Sequence, residues 1–259
     1  MFKIGDYVTR NSYRNDIVFI ITDIKDNIAI LKGVNLRLVA DSPLSDLVLS
    51  NDQDREDEFI DSLELDIDID NMERNDEKND FFYLPPKILH IDGDKDYLES
   101  CLSLYKEMGI YAEAVYLPEK DVYKSIKDII LNITPDIVVI TGHDAYHGGD
   151  INNIDSYENT KYFIKTIREI RKLFSFDDVV IIAGACESHF EALIASGANY
   201  ASSPKRINTH TYDPAVAAIK VASTSFDKIV NFDNILKYIE AGRDAFGGIE
   251  TKGKMRLLY

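Results

Sequence analysis

Short apolar runs alternate with longer amphipathic segments from residue 87 to about residue 241. The apolar runs predict strands at 87–91, 111–117, 137–141, 179–182 and 200–203. Segments of helical spacing predict helices at 95–108, 121–131, 160–174, 187–195, 213–222 and 234–241. Strands separated by helices of this length are typical of right-handed crossovers. The pattern therefore predicts an α/β domain over 81–259, a parallel, doubly wound sheet flanked by helices.

The first 50 residues have a different pattern, with several short β-rich runs and no amphipathic helix between them. Strands are predicted at 2–8, 16–24, 28–31, 36–39 and 47–49. Five short strands after a Gly-Asp-x-Val opening favour a small SH3-like β-barrel domain over 1–50. A domain of this kind binds partners or has a purely structural role, and the sequence does not choose between the two.

Residues 51–80 separate these two regions and contain 14 Asp and Glu against only 3 Lys and Arg. This segment carries a net charge of −11, out of −16 for the whole chain. Self-repulsion and the lack of a core-sized apolar set predict a flexible acidic linker, with a short strand at 65–69 as the alternative. The strong acidity also makes nucleic acid an unlikely partner.

Several broad classes of protein are excluded by what the sequence lacks. No run of 18 apolar residues occurs, and the first residues contain no apolar stretch of a secretory signal, so neither membrane insertion nor secretion is expected. The two cysteines, Cys101 and Cys186, are too few for a disulfide framework and suit a reducing cytoplasm. No cofactor is expected, and the oligomeric state is left open.

The candidate chemistry lies at the ends of two predicted strands. Cys186 follows the run at 179–182, where a helix is predicted to begin, and His143 follows the run at 137–141. Because the carboxyl ends of parallel strands share one edge of a sheet, these side chains are predicted to face each other. Cys186 is then a nucleophile favoured by a helix N-terminus, with His143 as its base. A small buried cysteine is the structural alternative, and His189 or His210 is the alternative base.

A cysteine nucleophile also needs backbone donors for an oxyanion. The turn after the fourth strand offers the N–H of Cys186, and the glycine-containing stretch beside His143 offers another. The candidates for support or for this oxyanion site are Gly142, Asp144, Ala185 and His189. For Ser188, capping or packing is a better interpretation than nucleophilic attack.

Two other kinds of site were weighed. His143 and His147 lie four residues apart near Asp144 and Asp150, but Gly148-Gly149 disfavours a helix that would hold both imidazoles, so no metal is predicted. The acidic pair at Asp92 and Asp94 resembles that of a response-regulator receiver, and a flavodoxin-like binding module is a further alternative. These non-enzymatic alternatives leave Cys186 unexplained, and no phosphate-binding glycine fingerprint is present.

The ordered pair of strands ending in Gly142-His143 and Ala185-Cys186 resembles the caspase–hemoglobinase class of cysteine peptidases, although that class has His before Gly. Longer motifs are similar to those of the YabG family of sporulation-specific cysteine proteases. These motifs are PDIVVITGHDAY, AGACESHFEALIASGANYASSPKRIN and GGIETKG. The resemblance implies an endopeptidase that processes spore-coat or germination proteins after basic residues, in the cytoplasm of the sporulating cell or the developing spore.

A preference for basic residues implies a carboxylate in the substrate pocket. The candidate acids are Asp144, Glu187, Asp213 and Glu250. The same preference predicts self-cleavage in the acidic segment, at Arg55 or Arg74, which would separate the β-domain from the peptidase domain.

Overall fold

The computed structural model describes residues 2–50, Leu63 and residues 82–258. The chain divides into two compact units, residues 1–59 and 60–259. The predicted linker at 51–80 lies outside the described residues apart from Leu63, as do the alternative strand at 65–69 and both predicted self-cleavage sites. No helix in the described ranges is both long enough and apolar enough to cross a membrane.

The first unit is a five-stranded antiparallel sheet. Its strands are β1 (Tyr7–Arg10), β2 (Phe19–Lys25), β3 (Ile28–Gly33), β4 (Val39–Pro43) and β5 (Leu47–Leu49), in the order β4-β3-β2-β1-β5. Three predicted strand starts were wrong, and the second strand begins at Phe19, three residues later than predicted. The first strand begins at Tyr7 because Gly5, at φ +92°, turns the chain, and the fourth begins at Val39 because a turn at 36–38 precedes it. The narrower SH3-like description stays a prediction.

The second unit contains the remaining described strands and helices. The strands are β6 (Phe82–Leu84), β7 (Ile88–Asp92), β8 (Ala112–Tyr116), β9 (Ile137–Thr141), β10 (Val180–Ala183), β11 (Tyr200–Ser202), β12 (Phe246–Gly248) and β13 (Arg256–Leu258). The helices are α1 (Lys95–Glu107), α2 (Glu119–Ile133), α3 (Thr160–Arg171), α4 (Phe190–Ala195), α5 (Asp213–Ser223) and α6 (Phe232–Leu236).

Six of these strands form the main sheet, in the order β12-β11-β10-β9-β7-β8. The pairings from β11 to β8 are all parallel, and β12 adds an antiparallel edge. The strand order reverses between β7 and β9, and the carboxyl end of a parallel sheet at such a point is the usual location of a ligand crevice. A mostly parallel sheet with helices is thereby confirmed, and the narrower doubly wound description stays a prediction.

Helices pack on both faces of the main sheet. Successive side chains of β7 point to opposite faces and so contact different helices. Leu89 and Ile91 of β7 belong to the apolar core formed with α2, α3 and α4. His90, between them, faces the other way and contacts Tyr105 of α1, which packs against α5. The strands run between these layers, so their carboxyl ends are fixed on both sides.

Candidate active site

His143 and Cys186 follow two adjacent strands at the carboxyl edge of the main sheet. Strands β9 and β10 are adjacent and parallel, and Ile140 pairs with Ala183 at the end of their register. Each candidate residue is the third beyond its member of this pair. The structure therefore places the two residues in equivalent positions on neighbouring loops.

The thiol of Cys186 is enclosed by the segment that leads into α5. Cys186 is 3% exposed, and the backbone N–H of Thr209 points at its Sγ from 3.3 Å. The hydroxyl of Thr209 lies 3.7 Å from the same sulfur atom. An N–H donor at this distance stabilises negative charge on sulfur. Thr209 was missed by the sequence reasoning, because nothing in its local sequence marks it.

The predicted helix at 187–195 begins three residues late, at Phe190, so the expectation that Cys186 sits at a helix N-terminus was wrong. Glu187 adopts φ +57°, which no helix contains. The Ser188 hydroxyl accepts a hydrogen bond from the N–H of Ala185 at 3.0 Å. The backbone N–H of Glu187 donates to the carbonyl oxygen of Ile207 at 3.2 Å, so the chain is not yet helical there, and His189 is the N-cap of α4.

His143 is held by hydrogen bonds to both its ring and its backbone. Its Nε2 lies 3.0 Å from Oδ2 of Asp94, and its backbone N–H donates to Oε1 of Glu119 at 2.7 Å. The side-chain amide of Asn159 donates to its carbonyl oxygen at 2.9 Å. The His143 side chain is 35% exposed. It is therefore a positioned imidazole with access to solvent.

The Glu119 carboxylate fills a notch between two glycines at the ends of β7 and β9. A Cβ atom added to Gly93 would lie 2.2 Å from Oε1 of Glu119, and one added to Gly142 would lie 2.3 Å from it. Glycine at both positions is what allows the carboxylate to reach the His143 N–H. Gly142 thus contributes space to the site.

The buried side chain of Asp144 connects three neighbouring segments through hydrogen bonds, a bracing role. Its Oδ1 accepts hydrogen bonds from the backbone N–H groups of Ala145, at 3.0 Å, and Asn159, at 2.7 Å. Its Oδ2 accepts from the hydroxyl groups of Thr160 and Ser188. Burial raises the pKa of Asp144, and these hydrogen bonds oppose that rise. The carboxylate is fully engaged within the fold.

The alternative bases occupy other positions. Nδ1 of His189 lies 3.3 Å from the Arg206 guanidinium and 3.2 Å from the Glu191 carboxylate. Nδ1 of His210 accepts a hydrogen bond from the N–H of Tyr212 at 3.1 Å. His210 follows Thr209 directly, so it lies in the segment that encloses Cys186.

The candidate acids for a substrate pocket are widely separated. Oε2 of Glu187 accepts a hydrogen bond from the N–H of Tyr146 at 3.0 Å, between the loops that carry Cys186 and His143. Asp213 is 1% exposed and bonds the N–H of His210. Glu250 lines a cavity of about 240 Å³ together with Val180, the first residue of β10, so it lies at the amino edge of the sheet. Only Glu187 among these acids adjoins Cys186 in the chain.

A buried polar chain lies beneath the site, on the face covered by α1. The Thr141 hydroxyl donates to Oδ2 of Asp92 at 2.7 Å, and Nε2 of His90 lies 2.9 Å from the same hydroxyl. Nδ1 of His90 lies 3.0 Å from the hydroxyl of Tyr105. We call these four residues the buried polar chain. Asp92 is 0% exposed, which argues against the open acidic pocket of a receiver.

Metal binding finds no support in the described part of the chain, where no group of three or more His, Cys, Asp or Glu side chains is arranged to hold an ion. His147 instead lies 3.9 Å from Glu158 at the surface. The absence of a predicted metal site stays a prediction for the protein as a whole.

Comparison with known proteins adds independent information. The family model described as YabG peptidase U57 matches residues 3–259. The sporulation-specific protease YabG of Bacillus subtilis (strain 168) is 38% identical over 99% of this chain and 97% of its own length. The similarity therefore covers both compact units.

Proposed function

The chain belongs to the YabG peptidase U57 family, and from that premise we propose that it is a cysteine endopeptidase of sporulation. Cys186 is the nucleophile and His143 is the general base. Family membership supports a sporulation peptidase. The observation that carries the residue assignment is the placement of His143 and Cys186 on the loops that follow two adjacent parallel strands, three residues beyond one register pair.

The proposed reaction begins when Cys186 attacks the carbonyl carbon of a peptide bond. His143 takes the thiol proton as the C–S bond forms, and the carbonyl oxygen becomes an oxyanion. We assign the backbone N–H groups of Cys186 and Asp144 as its donors. The N–H groups of Ala185 and His189 already donate to the side chains of Ser188 and Thr160, so these residues support the loop.

The second half of the reaction releases the two products, first the amine and then the acid. Protonated His143 gives its proton to the leaving amine as the C–N bond breaks, which leaves an acyl group on Sγ. Water, deprotonated by His143, then attacks the acyl carbon, and the thiolate departs and is reprotonated. The N–H of Thr209 stabilises the sulfur whenever it carries negative charge, before attack and on departure.

Spore-coat or germination proteins, cut after basic residues, are the proposed substrates. Glu187 is the proposed acid for the basic side chain, because it follows Cys186 directly and its carboxylate contacts the loop that carries His143. Self-cleavage at Arg55 or Arg74 is proposed as well. Mass spectrometry of aged wild-type protein beside Cys186→Ala tests it, since an intact chain in an active preparation contradicts it.

Alkylation tests the proposal directly. Iodoacetamide is a small thiol reagent, and activity is followed on quenched peptides with Arg, Lys or Leu before the cleaved bond. We expect activity to fall in proportion to carboxamidomethylation of Cys186. Cys101→Ala is the matched control and should be inhibited equally. Complete alkylation of Cys186 with activity intact would contradict the proposal.

A further inference from the structure

We propose that Asp94 is the positioning residue for His143, and that the buried polar chain holds Asp94 in place. This inference rests on the proposed function, because it assigns an orienting group to the proposed base. Asp94 lies in the connection between β7 and α1, whereas His143 follows β9. The contact between them is therefore made across the point where the strand order reverses.

Asp94 is fixed on both sides before any substrate arrives. Its Oδ1 accepts hydrogen bonds from the N–H groups of Asp96, at 3.0 Å, and Tyr97, at 3.3 Å, as the N-cap of α1. Its own N–H donates to Oδ1 of Asp92 at 2.8 Å. These bonds direct Oδ2 toward Nε2 of His143, 3.0 Å away. The carboxylate is thus pre-oriented by the helix that it caps.

This contact decides which nitrogen of His143 is basic. A carboxylate only accepts hydrogen bonds, so Nε2 carries the proton and Nδ1 holds the lone pair. Nδ1 is then the atom that takes the proton from Cys186. The imidazolium formed in that step is stabilised by the negative charge of Asp94, as an orienting carboxylate does in other hydrolases.

The buried polar chain fixes Asp92 and, through it, the backbone of Asp94. The single hydroxyl proton of Thr141 goes to Asp92, so the hydroxyl oxygen accepts from Nε2–H of His90. Nδ1 of His90 then accepts from the Tyr105 hydroxyl. Thr141 is the last residue of β9, and His143 follows it by two positions. The buried polar chain therefore links β9, which leads to His143, with β7, which leads to Asp94.

Asp94→Asn tests the first part, because asparagine is an equally good helix N-cap while it lacks the carboxylate charge. We expect kcat to fall about 10²-fold or more, with KM within about threefold, since the bond acts on His143 and not on substrate. Asp96→Asn, an exposed charge loss in the first turn of α1, is the matched control. Equal kcat in the two variants would overturn the proposal.

A tautomer measurement gives a readout that does not depend on activity. Long-range ¹⁵N spectra of the imidazole rings in the Cys186→Ala chain should show the neutral His143 ring protonated at Nε2. Adding Asp94→Asn should transfer part of this population to Nδ1. An Nδ1 proton in the chain that retains Asp94 would overturn the proposal. If Cys186→Ala kept full activity, the proposed function would fail instead, and the tautomer result would identify which claim is at fault.

Thr141→Val tests the buried polar chain, because it removes the hydroxyl and keeps the shape. We expect kcat to fall with KM unchanged, and Thr141→Ser to recover most of the loss. Thermal unfolding of both variants shows whether they are folded at the assay temperature. A folded Thr141→Val protein with wild-type kcat would show that the buried polar chain has only a structural role. This result would overturn this part of the proposal.

Discussion

Asp144 and Ser188 are joined by a hydrogen bond of 2.9 Å, from the serine hydroxyl to the buried carboxylate. The first residue follows His143, and the second lies two positions after Cys186. This bond ties together the two loops that carry the proposed catalytic residues. The relative position of the two loops therefore depends on a carboxylate to which the proposed mechanism gives no step.

Asp144→Ala should destabilise the second unit by about 3 kcal/mol or more, because buried donors without acceptors cost roughly 1–3 kcal/mol each. Urea unfolding measures this loss. Asp155→Ala removes an exposed acid from the same loop region and is the matched control. A stability change no larger than that of the control would contradict the bracing role.

The expected pH dependence of stability follows from the direction of the Asp144 pKa shift. Burial raises the pKa of Asp144 in the folded state, so folding favours the protonated form. Its contribution to stability is then complete below the unfolded pKa of about 3.9 and is lost as the pH rises through the folded pKa. Wild type should therefore lose stability relative to Asp144→Asn as the pH rises from about 4, and a relative gain would contradict this sign.

Gly142→Ala should lower both stability and activity, because the added Cβ would lie 2.3 Å from the Glu119 carboxylate. The expected cost is about 1–3 kcal/mol, as for other overpacked sites. Glu119→Ala should relieve the collision, so the double variant should lose less than the two single losses combined. A double-mutant cycle measures this coupling, and strict additivity would show that the contact is not responsible.

Arg171→Lys should destabilise the protein by about 2–4 kcal/mol, since hydrogen bonds to charged groups contribute roughly 1.5–3 kcal/mol. The guanidinium, whose pKa burial lowers to about 10, donates to four oxygens at 2.7–2.8 Å. These belong to Ser175, Val179, Gly197 and Asn199. A lysine ammonium cannot reach all four. Exposed Arg168→Lys is the control for urea unfolding, and equal stability would contradict the assignment.

Glu187→Gln should reduce the preference for Arg over Leu before the cleaved bond by about 10–150-fold, the equivalent of a charge-assisted hydrogen bond of roughly 1.5–3 kcal/mol. The ratio of kcat/KM for matched quenched peptides measures it. Glu250→Gln, at the opposite edge of the sheet, is the matched control. Unchanged selectivity in Glu187→Gln would locate the pocket elsewhere.

The strands of the main sheet were predictable because a strand that is buried on both faces consists of a continuous run of apolar residues. The run at 137–141 matches β9 residue for residue, and the placement of His143 and Cys186 at one edge follows from parallel pairing alone. The helix after Cys186 was mispredicted because its apolar spacing is helical. Glu187 instead takes a left-handed φ and donates its N–H to Ile207, a tertiary contact that the local sequence does not show.

The partners of the candidate site were harder to find. Asp94 was noticed only as half of an acidic pair, and its contact with His143 spans 49 residues. Glu119 and Thr209 carry no local signal, because each reaches the site through tertiary packing. Sequence patterns identified the candidate residues, but not the groups that hydrogen-bond to them.

The kcat/KM of Cys186→Ala and His143→Ala, on a peptide that the wild-type protein cleaves, tests the central claim most directly. Circular dichroism and urea unfolding confirm that each variant is folded, and Cys101→Ala controls for loss of a thiol. We expect both active-site variants to lose about 10³-fold or more, with Cys101→Ala close to wild type. A folded Cys186→Ala protein that retained more than about a tenth of wild-type kcat/KM would contradict the Cys186–His143 assignment, because a tenfold loss is only ~1.4 kcal/mol of transition-state stabilisation.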